Sequence, residues 1–423
     1  MGAGYPRSLS RGEIEEELEF IKKQLWEIHP LLEGEEKRSE LEEIWRGVKV
    51  EGALSLEEYF VLVNSLLVPL GEGHTFVHPP ISTRHLPFKL TWVSDGLGVS
   101  LSSWEGVRPG AQVLSLGGRE PQSLLGSLKS FLPHDNAYFL RHRGAKYLST
   151  QFFFQALGLK EEKEGVPLKI SWEKDEKLYT VTWQDKPLEE KLPAFSYEIS
   201  PERSLGFFTL NLCQNTPEYR LEVDRFFLEV KEEGIRYIAL DLRRNEGGDS
   251  NVVDAFLKYL PPEEIRDYRA ETRYAPQVRL QRGDGAEIAI SLARLFSRLY
   301  KGKRRTPRPP SPDLIFRGQL YVLIGPATFS AGVWVATMLR DNGLCRLIGE
   351  PTGGTPSFIG DVLTFPLPHS RLIYTVAHKK FTRPAAELDP AEALYPDIHV
   401  PTTIAHLREG RDPQKEKLLD IIR

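Results

Sequence analysis

The sequence predicts an α/β protein in three parts, and three observations carry that reading. Apolar residues recur at helical spacing through residues 1–70. Short alternating runs take over from about residue 84, and after about residue 190 apolar strands alternate with amphipathic helices. At 423 residues the chain exceeds the size at which one hydrophobic core usually stops growing, so more than one domain is expected.

The first part is helical because "EIEEELEFIKKQLWEI" places Ile14, Leu18, Ile21 and Leu25 at spacings of four, three and four. "SLEEYFVLVNSLLVPL" continues in that style until Pro69, Gly71 and Gly73, where "HTFVHPP" follows. In the middle part "FKLTWVSDGLGVSL" and "AQVLSLGGREPQSLLGSL" read as short strands, and "LKISWEKDEKLYTVTW" reads as a hairpin around charged turn residues.

In the last part "LGFFTLNL" is a strand, and Thr216 with Pro217 reads as an N-cap followed by proline at the first helical position. Tyr219, Val223, Phe226 or Phe227, and Val230 share one apolar face, and Gly234 marks the helix end. "IRYIALDLR" is then a buried strand. The same grammar recurs in "QLYVLIG", "PATFS" and "AGVWVATMLRDNG", the last closed by Gly343, so Ser330 falls at a strand-to-helix turn. Between the two units "YKGKRRTPRPPSPD" reads as a basic, proline-rich, solvated loop.

Composition excludes several classes. A net charge of -4, with 40% hydrophobic and 27% charged residues, is that of an ordinary globular protein with no demand for nucleic acid or an acidic membrane. Leu320 to Leu339 is free of charge and long enough to span a bilayer, but Gly325, Pro326, Thr328 and Ser330 interrupt it, so it is expected in a core. No integral membrane segment is expected. Cys213 and Cys345 lie in no CxxC or CxxH pattern, which argues against a disulfide framework or a cysteine zinc site. The opening "MGAGYPRSLSRGEIEEELEF" has no apolar h-region and reads as cytoplasmic as written, or extracytoplasmic if a signal peptide has been removed.

Three places could carry chemistry. Ser330, where a strand enters a helix, is placed for nucleophilic attack beside unpaired backbone N–H groups; the plainer alternative is an ordinary helix N-cap, since "TFSAG" lacks the first glycine of GxSxG. "DLRRNEGGDS" puts Gly247 and Gly248 directly after a buried strand, where they can turn N–H groups toward a ligand. "GEGHTFVHPP" carries His74 and His78 at four-residue spacing, but the intervening Thr75, Phe76 and Val77 read as strand, so no metal is expected there. His74 is either a general base or a loop histidine with a satisfied hydrogen bond.

Taken in order, a helical "GHT" segment, a β-rich insert, "DLRRNEGG" and "TFSAG" resemble the tail-specific and C-terminal-processing serine peptidases, including the tricorn core and the retinoid-binding proteins of the photoreceptor matrix. "IGEPTGG", "FPLPHSRL" and "YPDIHV" extend the resemblance over nearly the whole chain. It implies a helical region over 1–82 ending in the GHT motif, a PDZ-like β-rich domain over 83–190, and a crotonase-like peptidase core of ββα units over 191–423.

The resemblance also implies roles. Ser330 is the expected nucleophile, and Ala331 with Gly247 or Gly248 the expected oxyanion hole. A Ser-Lys dyad is disfavoured because "GEPTGGTP" puts Thr355 where that branch carries lysine; Lys379 and Lys380 are expected on a solvated strand. His74 fits the base of the tricorn-like branch, where Gly73 replaces a serine and Thr75 is the remaining local hydroxyl. The acid is sought in "AAELDPAEALYPD", with Asp389 favoured over Glu387 and Glu392. The expected activity is hydrolysis of peptides or proteins without a cofactor. The alternatives are an inactive peptide- or lipid-binding protein on the same scaffold, or an esterase or amidase using the same serine.

Overall fold

The structure is a computed structural model that describes residues 4–423 except 82, 163–164, 174, 274 and 283–301. The expected boundary at residue 82 and the first two residues of the basic loop, 300 and 301, therefore lie outside the described residues. The rest of that loop contains a short strand, Lys303–Arg305, paired antiparallel with Glu264–Arg266.

Parallel strands build the central layer. A six-stranded sheet runs in the order Ile398–His399, Arg346–Gly349, Gln319–Ile324, Tyr237–Asp241, Leu205–Leu210 and Phe195–Ser200. All neighbours are parallel except the last pair. Its inner strands Leu205–Leu210, Tyr237–Asp241 and Gln319–Ile324 are near-continuous apolar runs because both faces are covered, as parallel sheets require. Helix Pro217–Glu232 starts as expected, with the Thr216 side chain accepting the Tyr219 N–H, and Gly234 ends it at φ +60°.

Crossover connections put Tyr237–Asp241 and Gln319–Ile324 side by side. The turns that follow them, Leu242–Ser250 and Gly325–Ser330, therefore emerge together at the carboxyl ends of adjacent strands, where α/β sheets bind ligands. Sequence positions some eighty apart become neighbours through register alone.

The β-rich part holds a five-stranded antiparallel sheet, Phe88–Val93, Gly96–Ser102, Gln112–Leu116, Val166–Trp172 and Asp175–Val181, the last two forming the expected hairpin. Between its third and fourth strands run helices Pro121–Phe131, Ala137–Leu148 and Gln151–Ala156. The first corrects the reading of "EPQSLLGSL" as strand, its Leu124, Leu128 and Phe131 burying one helical face after Pro121 at the first turn; in the last, Phe152, Phe153 and Phe154 are all buried and too crowded to show a clean period.

The N-terminal helices Arg11–Ile28, Glu35–Arg46 and Leu56–Leu67 share one apolar cluster with this sheet and with Leu363, Tyr374 and Val376 from the C-terminal part. The strand after "GHT", Phe76–His78, pairs antiparallel with Ile373–Thr382. This pairing carries the N-terminal histidine segment onto the C-terminal part of the chain. No helix among the described residues is long and apolar enough to cross a membrane. Cys213 and Cys345 are buried free thiols.

Candidate active site

Ser330 stands at the N-cap position of helix Ala331–Asp341, yet it caps nothing: its side chain makes no cap hydrogen bond, and its backbone has φ 51° and ψ −122°. An ordinary N-cap lies in the β region and bonds the amide two or three residues on. A non-glycine residue at that φ costs about 1–3 kcal/mol and is held by its surroundings. Here Thr328 holds the turn, its hydroxyl donating to Leu242 O at 2.8 Å and accepting from Gly325 N at 3.0 Å.

The glycine turn closes on the serine turn. A Cβ built on Gly247 would fall 2.7 Å from Ser330 Cβ and 3.2 Å from both Ser330 Oγ and Ala331 N; one on Gly248 would fall 2.3 Å from Cys213 O. Both glycines have positive φ, +118° and +127°, so both the space and the backbone demand glycine. Asn245, fully buried, organises this turn. Its Oδ1 accepts Gly247 N–H at 2.9 Å and Cys213 S–H at 3.3 Å, its Nδ2 donates to Leu210 O at 2.8 Å, and its own carbonyl accepts Phe329 N–H at 3.0 Å. The Gly247 N–H is thus engaged inside the turn, while Ala331 N, the first amide of the helix after Ser330, lies 3.2 Å from the position of a Gly247 Cβ.

Arg243 anchors the base of the turn. Its guanidinium donates to Asp241 and to Asp412 at 2.6 Å each, and to Gln414 at 2.9 Å, tying the strand end to helix Pro413–Ile421. Over the turn lies helix Ala137–Leu148, from which His142 and Lys146 reach Glu246 at 3.1 Å.

His74 lies beside the Ser330 turn. Its ring stacks on Phe329, the residue before Ser330, at 4.5 Å, and on Phe358 at 5.8 Å, so the imidazole is sandwiched between two phenyl faces. Its side chain is 9% exposed, and neither ring nitrogen has a hydrogen-bond partner, Ser330 included. Burial pushes the His74 pKa down to about 4, with the Arg143 cation adding to the effect and the Glu72 charge opposing it. The ring is therefore neutral near pH 7, as a base requires. A Cβ on Gly360 would come within 3.4 Å of Nε2, so glycine leaves the ring room on that side.

The carboxylate paired with His74 is Glu72, two residues earlier, whose Oε2 lies 3.7 Å from Nδ1. Glu72 is buried and accepts His74 N–H at 2.5 Å and Thr75 N–H at 2.9 Å, and its Oε1 lies 3.3 Å from His29 Nε2. Burial raises its pKa, but the bond and charge of His29, the His74 ring and the Thr75 contact outweigh it and hold the group below the usual carboxylate range. Sequence reasoning passed over Glu72; an acid two residues before a candidate base, in the "GEGHT" loop, was the available signal.

The acids expected near the C-terminus stand elsewhere. Asp389 accepts a hydrogen bond from Ser357, Glu387 pairs with Arg266 at 2.8 Å, and Glu392 is exposed; none bonds His74. Thr355 donates its hydroxyl to Ser357 O at 2.7 Å. Lys379 pairs with Asp361 at 2.5 Å and Lys380 is exposed on the strand Ile373–Thr382. A side chain at position 73 would collide with Phe139, 2.6 Å from the ideal Cβ, and Thr75 Oγ1 accepts Ala377 N–H at 3.2 Å. His78 does not join His74 in a pair; its Nε2 bonds Thr375 Oγ1 at 3.1 Å.

Residues 205–400 match the sequence model of peptidase family S41. No curated protein matches the chain significantly in sequence. Among solved structures, mature CPAF complexed with lactacystin superposes with a TM-score of 0.68 at 16% identity, covering 97% of this chain and 98% of that one. Mature CPAF alone gives 0.69 at 15% identity, with 96% of each chain covered. The photosystem II D1 C-terminal processing protease gives 0.48 at 13% identity, with 92% of this chain and 93% of that chain covered. The likeness to the CPAF structures is one of fold, and it extends over both the parallel layer and the N-terminal parts.

Proposed function

This chain carries a peptidase family S41 domain and is a serine-type peptidase, and on that premise we propose that Ser330 is its nucleophile, His74 its base and Glu72 the acid that orients the base. The observation that carries the reading is the Ser330 turn: positive φ, a hydroxyl that caps nothing, and the Gly247–Gly248 turn pressed against it. A helix cap needs none of these.

The steps follow from the groups present. Ser330 Oγ attacks the peptide carbonyl carbon while its proton passes to His74 Nε2. The developing oxyanion takes hydrogen bonds from Gly248 N–H and Ala331 N–H, the second strengthened by the helix N-terminus. His74 returns the proton to the leaving amine, giving an ester on Ser330. Water, giving its proton to the same imidazole, then hydrolyses the ester. Glu72 accepts a hydrogen bond from Nδ1–H, keeps its charge and so stabilises the imidazolium.

Because His74 is stacked between Phe329 and Phe358 and bonds neither Ser330 nor Glu72, the ring must turn in its aromatic slot when substrate binds; contacts of this kind commonly tighten only in the complex. The substrate is a peptide or protein. A binding protein without activity would have no use for a strained, uncapped serine, so the catalytic reading is preferred. Digestion of a quenched-fluorescence peptide library tests it: the wild-type chain cleaves internal bonds and Ser330→Ala does not. Equal cleavage by both would refute the assignment.

A further inference from the structure

We propose that Glu72, His74 and Asp135 form a site for a divalent cation of the zinc class, and that the cation inhibits the enzyme by taking over its base. Binding itself depends only on the cluster; the inhibitory consequence rests on the role of His74 given above.

One ligand atom from each of the three residues lies within 4.8 Å of the other two. The side chain between the carboxylates, His74, is nine-tenths buried with both ring nitrogens unpartnered. A buried polar atom without a partner is costly and calls for one. Each carboxylate is already oriented by backbone: Glu72 by the amides of His74 and Thr75, Asp135 by Gly73 N–H at 2.6 Å and Thr355 N–H at 3.4 Å. Such outer hydrogen bonds are what fix ligands at metal sites.

One imidazole and two carboxylates suit zinc better than calcium or magnesium, which prefer all-oxygen shells. With bonds of about 2.0–2.2 Å, a tetrahedral shell sets its ligands about 3.3–3.5 Å apart, so the cluster must contract by at most about 1.5 Å per edge. Arg143 opposes the cation. It is buried nearby, donating to Pro133 O at 2.9 Å and lying over the Phe139 ring at 4.3 Å, and its charge keeps the site weaker than a structural zinc site.

The chemistry of inhibition is specific. Nδ1 is the nitrogen facing Glu72. Metallation there leaves the single imidazole proton on Nε2, and that nitrogen then has no lone pair for the Ser330 proton. The cation also draws Glu72 away from its orienting role.

Calorimetric titration of the full-length Ser330→Ala chain with zinc chloride tests binding apart from catalysis. The expected result is one zinc per chain, bound at least about 100-fold more tightly than magnesium, and weakened about tenfold or more by Asp135→Asn and by His74→Gln. In the wild type, zinc lowers kcat with little change in KM, and a chelator restores it. No saturable binding below about 1 mM, or binding unchanged in both variants, overturns the proposal. Zinc bound as described to a wild-type chain without peptidase activity supports the cation site and refutes the catalytic reading instead.

Discussion

Gly247 and Ser330 meet across two strand ends so closely that a Cβ on the glycine would lie 2.7 Å from the serine Cβ. At φ +118° the glycine is also in a backbone region that other residues rarely adopt. Gly247→Ala is therefore expected to push the two turns apart and misplace the oxyanion amides. A loss of about 100-fold or more in kcat is predicted, the scale of one lost oxyanion donor, with KM less affected. Steady-state kinetics on a cleaved peptide, with thermal unfolding as a control for folding, measures it.

Asn245 holds the same turn from beneath through four bonds to side-chain and backbone atoms. Asn245→Ala leaves Gly247 N–H and Leu210 O buried without partners, and a cost of about 2–5 kcal/mol is expected. Denaturant unfolding measures the loss. A change below about 0.5 kcal/mol would mean that the turn is organised by something else.

Two carboxylates compete for the role of the orienting acid. If Glu72 holds it, Glu72→Gln lowers kcat by about 100-fold or more, while Asp389→Asn, whose side chain is engaged by Ser357, lowers it less than about tenfold. The reverse ranking would return the role to the C-terminal segment.

His78 offers a test of the buried interface between the N-terminal strand and Ile373–Thr382. Burial lowers its pKa to about 4, with the Arg143 cation assisting, against an ordinary value near 6.5. The unfolded chain then binds more protons than the folded one between those values, so stability contributed by neutral His78 is present above about pH 6.5 and is lost as pH falls toward 4. His78→Gln, which can still bond Thr375, is expected to flatten the fall in Tm over that window. An unchanged Tm profile against pH would place the acid sensitivity elsewhere.

Much of the site was legible because its parts obey local rules. A strand, a Thr-Pro helix start and a glycine stop announce each parallel unit, and two units in succession put "NEGG" and "TFSAG" at neighbouring strand ends. Ser330 alone could not be told from a cap, since the distinguishing feature is its φ, which no residue type declares. The aromatic slot around His74 was invisible for another reason: Phe329 and Phe358 come from more than 250 residues away and meet the histidine only through the pairing of Phe76–His78 with Ile373–Thr382. Asp135 arrives on the short loop between helices Pro121–Phe131 and Ala137–Leu148, where no local pattern ties it to His74. Glu72, by contrast, was in plain view, but an acid between glycines reads as solvated loop unless its burial is known.

The central claim is that Ser330 is an activated nucleophile, and a fluorophosphonate probe followed by peptide mass spectrometry tests it most directly. The account predicts one covalent adduct per chain on the peptide containing Ser330, absent in Ser330→Ala and formed about 100-fold more slowly or less in His74→Ala. A folded chain that forms no adduct, or that carries it on another residue, would contradict the account.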